Sequence, residues 1–209
     1  MNYIFSLLIL IRQEFRKSRF LKQVSDAKKN GSPLKLQVGS SGLKQIGWIS
    51  SEQGFLNLLR TSDWMQYFSF GSLDSVLAEH VWEHLSETEA TIAAQTVFKF
   101  LKPGGHLRIA VPDGFHPDKI YIDAVKPGGS GSGAFDHKIL YTYKSLTDVF
   151  VRCGYSVDLL EYHDENRVFL FKEWRMSDGF VHRSKNHDAR NTKGSLNYTS
   201  IIIDAIKPL

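Results

Sequence analysis

His80-Val81-Trp82-Glu83-His84 has the spacing H-x-x-E-H and poses the first chemical question. On a helix, His80 and His84 would lie one turn apart and could share a divalent metal. The apolar run LDSVLA (73–78) leads straight into Glu79, however, which puts His80 at the end of a strand. The two imidazoles then diverge, and no third ligand is identifiable. The sequence therefore assigns no metal site.

A second histidine, His137, lies in Asp136-His137-Lys138, just beyond a glycine-rich loop. Imidazole titrates near neutrality and suits removal of a proton from a sugar hydroxyl or an amine. The other reading is an exposed histidine that anchors the loop. Asp136 could orient His137, although neighbouring side chains do not automatically meet. The loop holds four glycines in the six residues Gly128–Gly133, so it is mobile. It reads either as a lid over substrate or as a plain linker. It does not join a strand to a helix N-terminus, as a phosphate cradle would. Residues 167–193 hold seven Lys/Arg and three acids, with Arg183, Lys185 and Arg190 grouped around Asp188. Their forks could hold a phosphate or carboxylate, or pair internally on a solvated loop. Tyr141, Arg183 and Arg190 are the substrate-binding candidates.

These residues need a scaffold. Residues 3–29 read as one helix, stopped by Asn30-Gly31-Ser32-Pro33. Residues 34–38 form a short strand before glycine, and 48–50 a brief second one. Residues 54–60 have helical spacing through Phe55, Leu58 and Leu59. A buried strand follows at 73–78. An amphipathic helix at 87–101 places Ile92, Ala93, Val97, Phe98 and Leu101 on one face. Lys102-Pro103-Gly104-Gly105 stops it, and 106–111 (HLRIAV) is the next strand, closed by Pro112-Asp113-Gly114. A helix at 143–152, with Leu146, Val149 and Phe150 inward, is capped by Gly154. Strands at 156–162 and 198–206 flank a polar stretch, 163–197, without steady period. Alternating strands and helices predict a mostly parallel sheet covered on both faces, with ligands beyond the carboxyl ends of the strands.

Composition narrows the class. The 209 residues fit one domain, and 42% hydrophobic content supplies a core. One cysteine, Cys153, excludes an intrachain disulfide framework and an all-cysteine zinc site. It suits a reducing, cytoplasmic compartment. Of the net charge of +4, residues 12–29 alone contribute seven Lys/Arg against two acids. The remainder is near neutral, which argues against a nucleic-acid groove. The apolar run Ile4–Ile11 is too short to span a bilayer and lacks signal-peptide flanks. It reads either as an interfacial membrane anchor or as a helix packed on the domain or on a second copy. Residues 1–31 are thus a basic and apolar arm, and 32–209 one domain with a polar insertion near 163–197.

Three segments in order carry a family likeness: QVGSSG (37–42), AEHVWEHL (78–85) and FKFLKPGGHLRIAVPD (98–113). Together they resemble the class I S-adenosylmethionine-dependent methyltransferases. The likeness is greatest to a bacterial branch in which Gly-Trp and a carboxylate follow the glycine turn. DHKILYTYKSL, VHRSKNHDARN and YTSIIIDAIKP look like the same branch, so the likeness runs from about Leu34 to Pro208. It implies an α/β, Rossmann-like methyltransferase fold: a seven-stranded, mostly parallel sheet with helices on both faces and its last strand antiparallel. It also implies S-adenosylmethionine lying over Gly39, Ser40 and Gly42, with Glu52 accepting the ribose hydroxyls. Asp63 would receive the adenine amino group, with Trp64 or Phe68 along the ring. Glu79 and His80 would face the reacting end, and Glu83 and His84 would begin the next helix. The proton acceptor would be His137, then His80, with Asp113 as a positioning group.

Two departures stand out. Gln37 occupies a position that is often acidic in the family, near the cofactor's amino group. Only about eight residues separate Gly39 from Trp48, too few for the usual crossover helix, which must shrink to a turn. The expected function is methyl transfer to a small polar acceptor, a saccharide or nucleotide sugar. The alternatives are a non-catalytic scaffold of the same fold, docked through its arm, and a nucleotide-sugar enzyme without methyl transfer.

Overall fold

The computed structural model describes residues 2–192 and 194–209, except for the side chains of 2–10. Most of the apolar run Ile4–Ile11 therefore lies outside the described side chains. Helix α1 spans Asn2–Lys29. No helix among the described residues is long and apolar enough to cross a membrane.

The strands are β1 (Lys35–Val38), β2 (Ile49–Ser50), β3 (Leu73–Glu79), β4 (Leu101–Pro112), β5 (Ser156–His163), β6 (Phe169–Phe171) and β7 (Ser200–Ile206). They form one seven-stranded sheet in the order β2-β1-β3-β4-β7-β5-β6. β1 pairs in parallel with β2 and β3, and β3 with β4. The last strand, β7, inserts antiparallel between β4 and β5, as the resemblance implies. β6 forms an antiparallel edge on β5 inside the stretch that showed no sequence period. Its three residues, FLF, are too few to reveal alternation.

Local chemistry explains the helices. Ser86 and Glu89 make a reciprocal capping box at the start of α3 (Glu87–Phe100), and Thr142 and Ser145 do the same for α5 (Tyr143–Arg152). The buried face of α3 is Ala90, Ala93, Ala94, Val97 and Phe100. That corrects the expected stripe: Ile92 is 40% exposed, and Leu101 already belongs to β4. Residues 54–60 form turns rather than a helix, and the helix here is the short α2 (Thr61–Met65). Asn57 is the cause. Its side chain accepts from Leu59 N at 2.8 Å and its own N–H donates to Asp63, so local side-chain bonds replace the helical ones. Helix α4 (Lys119–Val125) is capped by Asp118.

The sheet's two faces differ. One carries Leu36, Val38, Val76, Leu107, Ile109 and Ile203 into the main core with α3 and α5. The other carries Leu77, Ala110 and Ile202 against Trp48, Val181 and Trp174. Arg108, 1% exposed, fastens this second layer. Its guanidinium donates to both oxygens of Asp204 at 2.8 Å and to the carbonyls of Arg175 and Gly179. A buried charge so fully bonded is tolerated where a lone one is not.

Helix α1 closes the β2 edge. The Gln23 amide donates to Trp48 O at 3.1 Å and accepts from Ser50 N at 3.2 Å, satisfying edge groups that a further strand would otherwise pair. Phe20 anchors the helix in a cluster with Phe55, Tyr67 and Phe68.

Candidate active site

A cleft of about 440 Å³ opens beyond the carboxyl ends of β1 and β3. Its floor is Gln37 and the turn Gly39-Ser40-Ser41, and one wall is Glu79, His80, Glu83 and His84. The glycine loop and His137 form a second wall, and Arg183, Arg190 and Tyr198 stand at a third. Parallel strands ending in tight turns leave backbone facing such a crevice.

The link from β1 to β2 contains no helix, as its length requires. Gly39 and Gly42 sit at φ +59° and +87°, where a side chain is disfavoured. A Cβ on Gly39 would come within 2.7 Å of Val81. Gln37 is 2% exposed, and its Oε1 has no hydrogen-bond partner. A buried acceptor left bare beside a cleft is one that a ligand's donor can satisfy.

Glu52 is arranged differently. Its Oε1 accepts from the Ser40 hydroxyl at 2.8 Å, Gly42 N at 3.0 Å and Arg16 at 3.2 Å. The Arg16 guanidinium also covers Gly42, 2.9 Å from where a Cβ would stand. Glu52 lines a separate cavity of about 220 Å³ together with Arg16, Lys17 and Phe55. Ser40 joins the two sides, since it lines the cleft and bonds Glu52.

His80 leaves β3 in a left-handed conformation at φ +53°. Its N–H donates to Ala110 O, its Nε2 is 3.1 Å from Ser200 Oγ, and its Nδ1 is 3.1 Å from Glu83 Oε1. Glu83 is fully buried, and neither of its oxygens has a hydrogen-bond partner in proper geometry. Residues Trp82–His84 form a single 3-10 turn, and α3 starts only at Glu87, so Glu83 and His84 do not open that helix. Asp136 does not orient His137. Its carboxylate lies 3.0 Å from His84 Nδ1, whereas His137 Nδ1 is 2.7 Å from Val125 O.

Glu79 lines the cleft, but its carboxylate is taken by the backbone N–H groups of His182 and Arg183 and by His182 Nδ1. It thereby ties the 182–183 segment to the end of β3. Arg183 remains 41% exposed at the side chain. Arg190 forks onto Asp188 at 2.8 and 2.6 Å, and its guanidinium lies 3.3 Å from the Tyr198 ring centroid. The Arg190 charge holds the Asp188 carboxyl below its ordinary range against the opposing effect of burial, and burial raises the Tyr198 phenol. The ion-pair reading of this segment is thus realised for Arg190 on Asp188 and, more loosely, for Arg183, whose guanidinium lies 3.7 Å from Glu79 Oε1 but keeps exposed donors.

Besides Glu52, four expected site residues lie outside the cleft. Asp113 is fully buried: Oδ1 accepts from Phe115 N, and Oδ2 from the N–H and Nδ1 of His163. It fixes the turn after β4 and does not reach the cleft. Trp64 is 0% exposed, donates to Asn57 O and packs on Phe68 and Phe100, so no ring face is left for a ligand. Asp63, outside the cleft, accepts from Asn57 N through Oδ2. Tyr141, 2% exposed, borders a different cavity with Glu87 and Arg152, and burial raises its phenol pKa. Arg16, Glu83, Tyr198 and Ser200 were not singled out from the sequence as site residues. Only Glu83 carried a signal, through the H-x-x-E-H spacing.

No family model and no curated protein matches the sequence. Solved structures do match the fold. A S-adenosylmethionine-dependent methyltransferase from Archaeoglobus fulgidus is 16% identical, covers 96% of this chain and 99% of its own, and gives a TM-score of 0.50. A chain from a Haloferax volcanii complex that contains the Trm112 methyltransferase activator is 9% identical, with 91% of this chain and 98% of that one covered and a TM-score of 0.50. At such identities the likeness is one of fold. The chain has a Rossmann-like fold of the methyltransferase type.

Proposed function

We propose that the protein is a S-adenosylmethionine-dependent methyltransferase for a small polar acceptor, with a saccharide or nucleotide sugar as the acceptor class. The observation that carries this reading is the orphaned Gln37 Oε1 beside the bare Gly39 turn, inside a cleft that also holds His80 and His137. The cofactor, when bound, supplies a methyl group already activated on a sulfonium. Gln37 would accept from its amino group, and the Gly39–Gly42 backbone would lie against it. Glu52 is the ribose acceptor and shares its Oε1 with Arg16. The chain's remaining task is to align an acceptor and take its proton. His80 and His137 face the cleft for that task, and Arg183 offers donors to an anionic group on the acceptor.

One observation favours a second reading, the non-catalytic scaffold: the ribose acceptor is already bonded by the protein itself. Calorimetry with S-adenosylmethionine and S-adenosylhomocysteine separates the two. The enzyme reading expects micromolar binding, and silence at millimolar concentration sinks it. A nucleotide-sugar thermal-shift screen tests the acceptor class. The shift should shrink as salt screens the Arg183 charge, and a salt-independent shift removes that contact.

A further inference from the structure

We propose that Glu83, His84 and His137 form a binding site for one divalent transition-metal ion in the wall of the cleft. One ligand-capable atom from each lies within 4.8 Å of the others. Ligands of a tetrahedral ion stand about 3.4 Å apart, so closure by about an ångström suffices to seat one.

Three observations point to an ion. The first is Glu83. Its carboxylate is fully buried without a hydrogen-bond partner, a costly state for a charge unless a cation balances it. His80 Nδ1 approaches Oε1 at 3.1 Å, out of hydrogen-bond alignment, and His137 Nε2 at 4.0 Å, beyond bonding range. The second is the orientation of the imidazoles. Val125 O can only accept, so the proton of neutral His137 sits on Nδ1 and Nε2 keeps a free lone pair on the Glu83 side. The Asp136 carboxylate lies 3.0 Å from His84 Nδ1, within ion-pair distance but out of hydrogen-bond alignment, so that Nδ1 is buried and otherwise unpartnered. A carbonyl bonded behind the imidazole, as behind His137, is a usual support of a metal-binding histidine, and a small turn of His84 would give it the Asp136 carboxylate in the same role. The third is the backbone. Lys138 N and Ile139 N both donate to Glu83 O, at 2.7 and 3.2 Å, binding together the two segments that supply the ligands.

Two imidazoles and one carboxylate suit zinc or manganese better than magnesium or calcium, which prefer oxygen. All three residues line the cleft, so the ion's remaining positions face it and can take an acceptor oxygen. That use of the ion rests on the methyltransferase reading, whereas the site itself does not. With the ion in place the His137 lone pair is occupied, and His80 is left as the proton acceptor.

The test uses untagged full-length protein stripped with a chelator, then titrated calorimetrically with Zn²⁺ and Mn²⁺ and followed by absorbance with Co²⁺. The expected result is one ion per chain, with affinity lower by about 100-fold in His84→Ala and His137→Ala and by about 10-fold in Asp136→Asn. His187→Ala, outside the cluster, should bind as the parent does. Absent uptake, or uptake unchanged in both His84→Ala and His137→Ala, overturns the site. If a variant fails to fold, the stoichiometry and Co²⁺ spectrum of the parent still decide. Binding of S-adenosylhomocysteine is measured separately on the stripped protein. Cofactor binding without metal uptake refutes only the ion, and metal uptake without cofactor binding refutes only the methyltransferase reading.

Discussion

The two sides of the glycine turn handle polar groups in opposite ways. On the cleft side, Gln37 Oε1 and both oxygens of Glu83 are buried and unpartnered. On the far side, Glu52 Oε1 accepts three bonds at once, from Ser40, Gly42 and Arg16. Buried polar groups left bare destabilise a fold, so they persist where a ligand completes them. A carboxylate oxygen that already accepts three bonds from its own chain must release one before it accepts from a ligand, although the second oxygen stays available. The comparison teaches that the inner half of the site leaves acceptors bare for the proposed ligand, while the outer half shares one oxygen of Glu52 among Ser40, Gly42 and Arg16.

The largest effect is expected from removing the proposed base. His80→Ala should lower turnover by about 10²- to 10⁴-fold with little change in cofactor affinity. Steady-state kinetics beside calorimetry checks this, and equal loss in both would recast His80 as structural. Next comes the orphan acceptor. Gln37→Leu should weaken cofactor binding by about 10- to 100-fold, the worth of a hydrogen bond to a charged group, and Gln37→Glu should strengthen it. If both leave the Kd unchanged, the inner half does not hold the amino group. The smallest change sharpens the outer half. Arg16 is 38% exposed at the side chain, so its pair with Glu52 is worth little. Arg16→Ala should therefore tighten cofactor binding only about two- to fivefold. A weaker Kd would show that Arg16 assists the ligand instead of competing with it.

Much of the scaffold could be read in the residues. LDSVLA and HLRIAV are apolar runs of strand length, and α5 shows an apolar face and ends before Gly154, so β3, the buried end of β4 and α5 were all legible. The position of His80 at a strand end followed from the same run. What escaped depends on contacts between distant segments. Arg16 and Glu52 are 36 positions apart and meet only because Phe20 seats α1 beside the sheet edge. The Asp136-His137 dipeptide misled for a related reason. Consecutive side chains diverge, so Asp136 meets His84 instead. Trp64 carries the right chemistry for an adenine face, but the core under Phe100 claims it.

A crystal structure of the protein with S-adenosylhomocysteine tests the central claim most directly. The account predicts the amino group on Gln37 Oε1, the thioether near His80, and ribose hydroxyls on Glu52 with the Arg16 guanidinium displaced. An unchanged Arg16–Glu52 pair, with no ligand seated over Gly39 at saturating concentration, would contradict it.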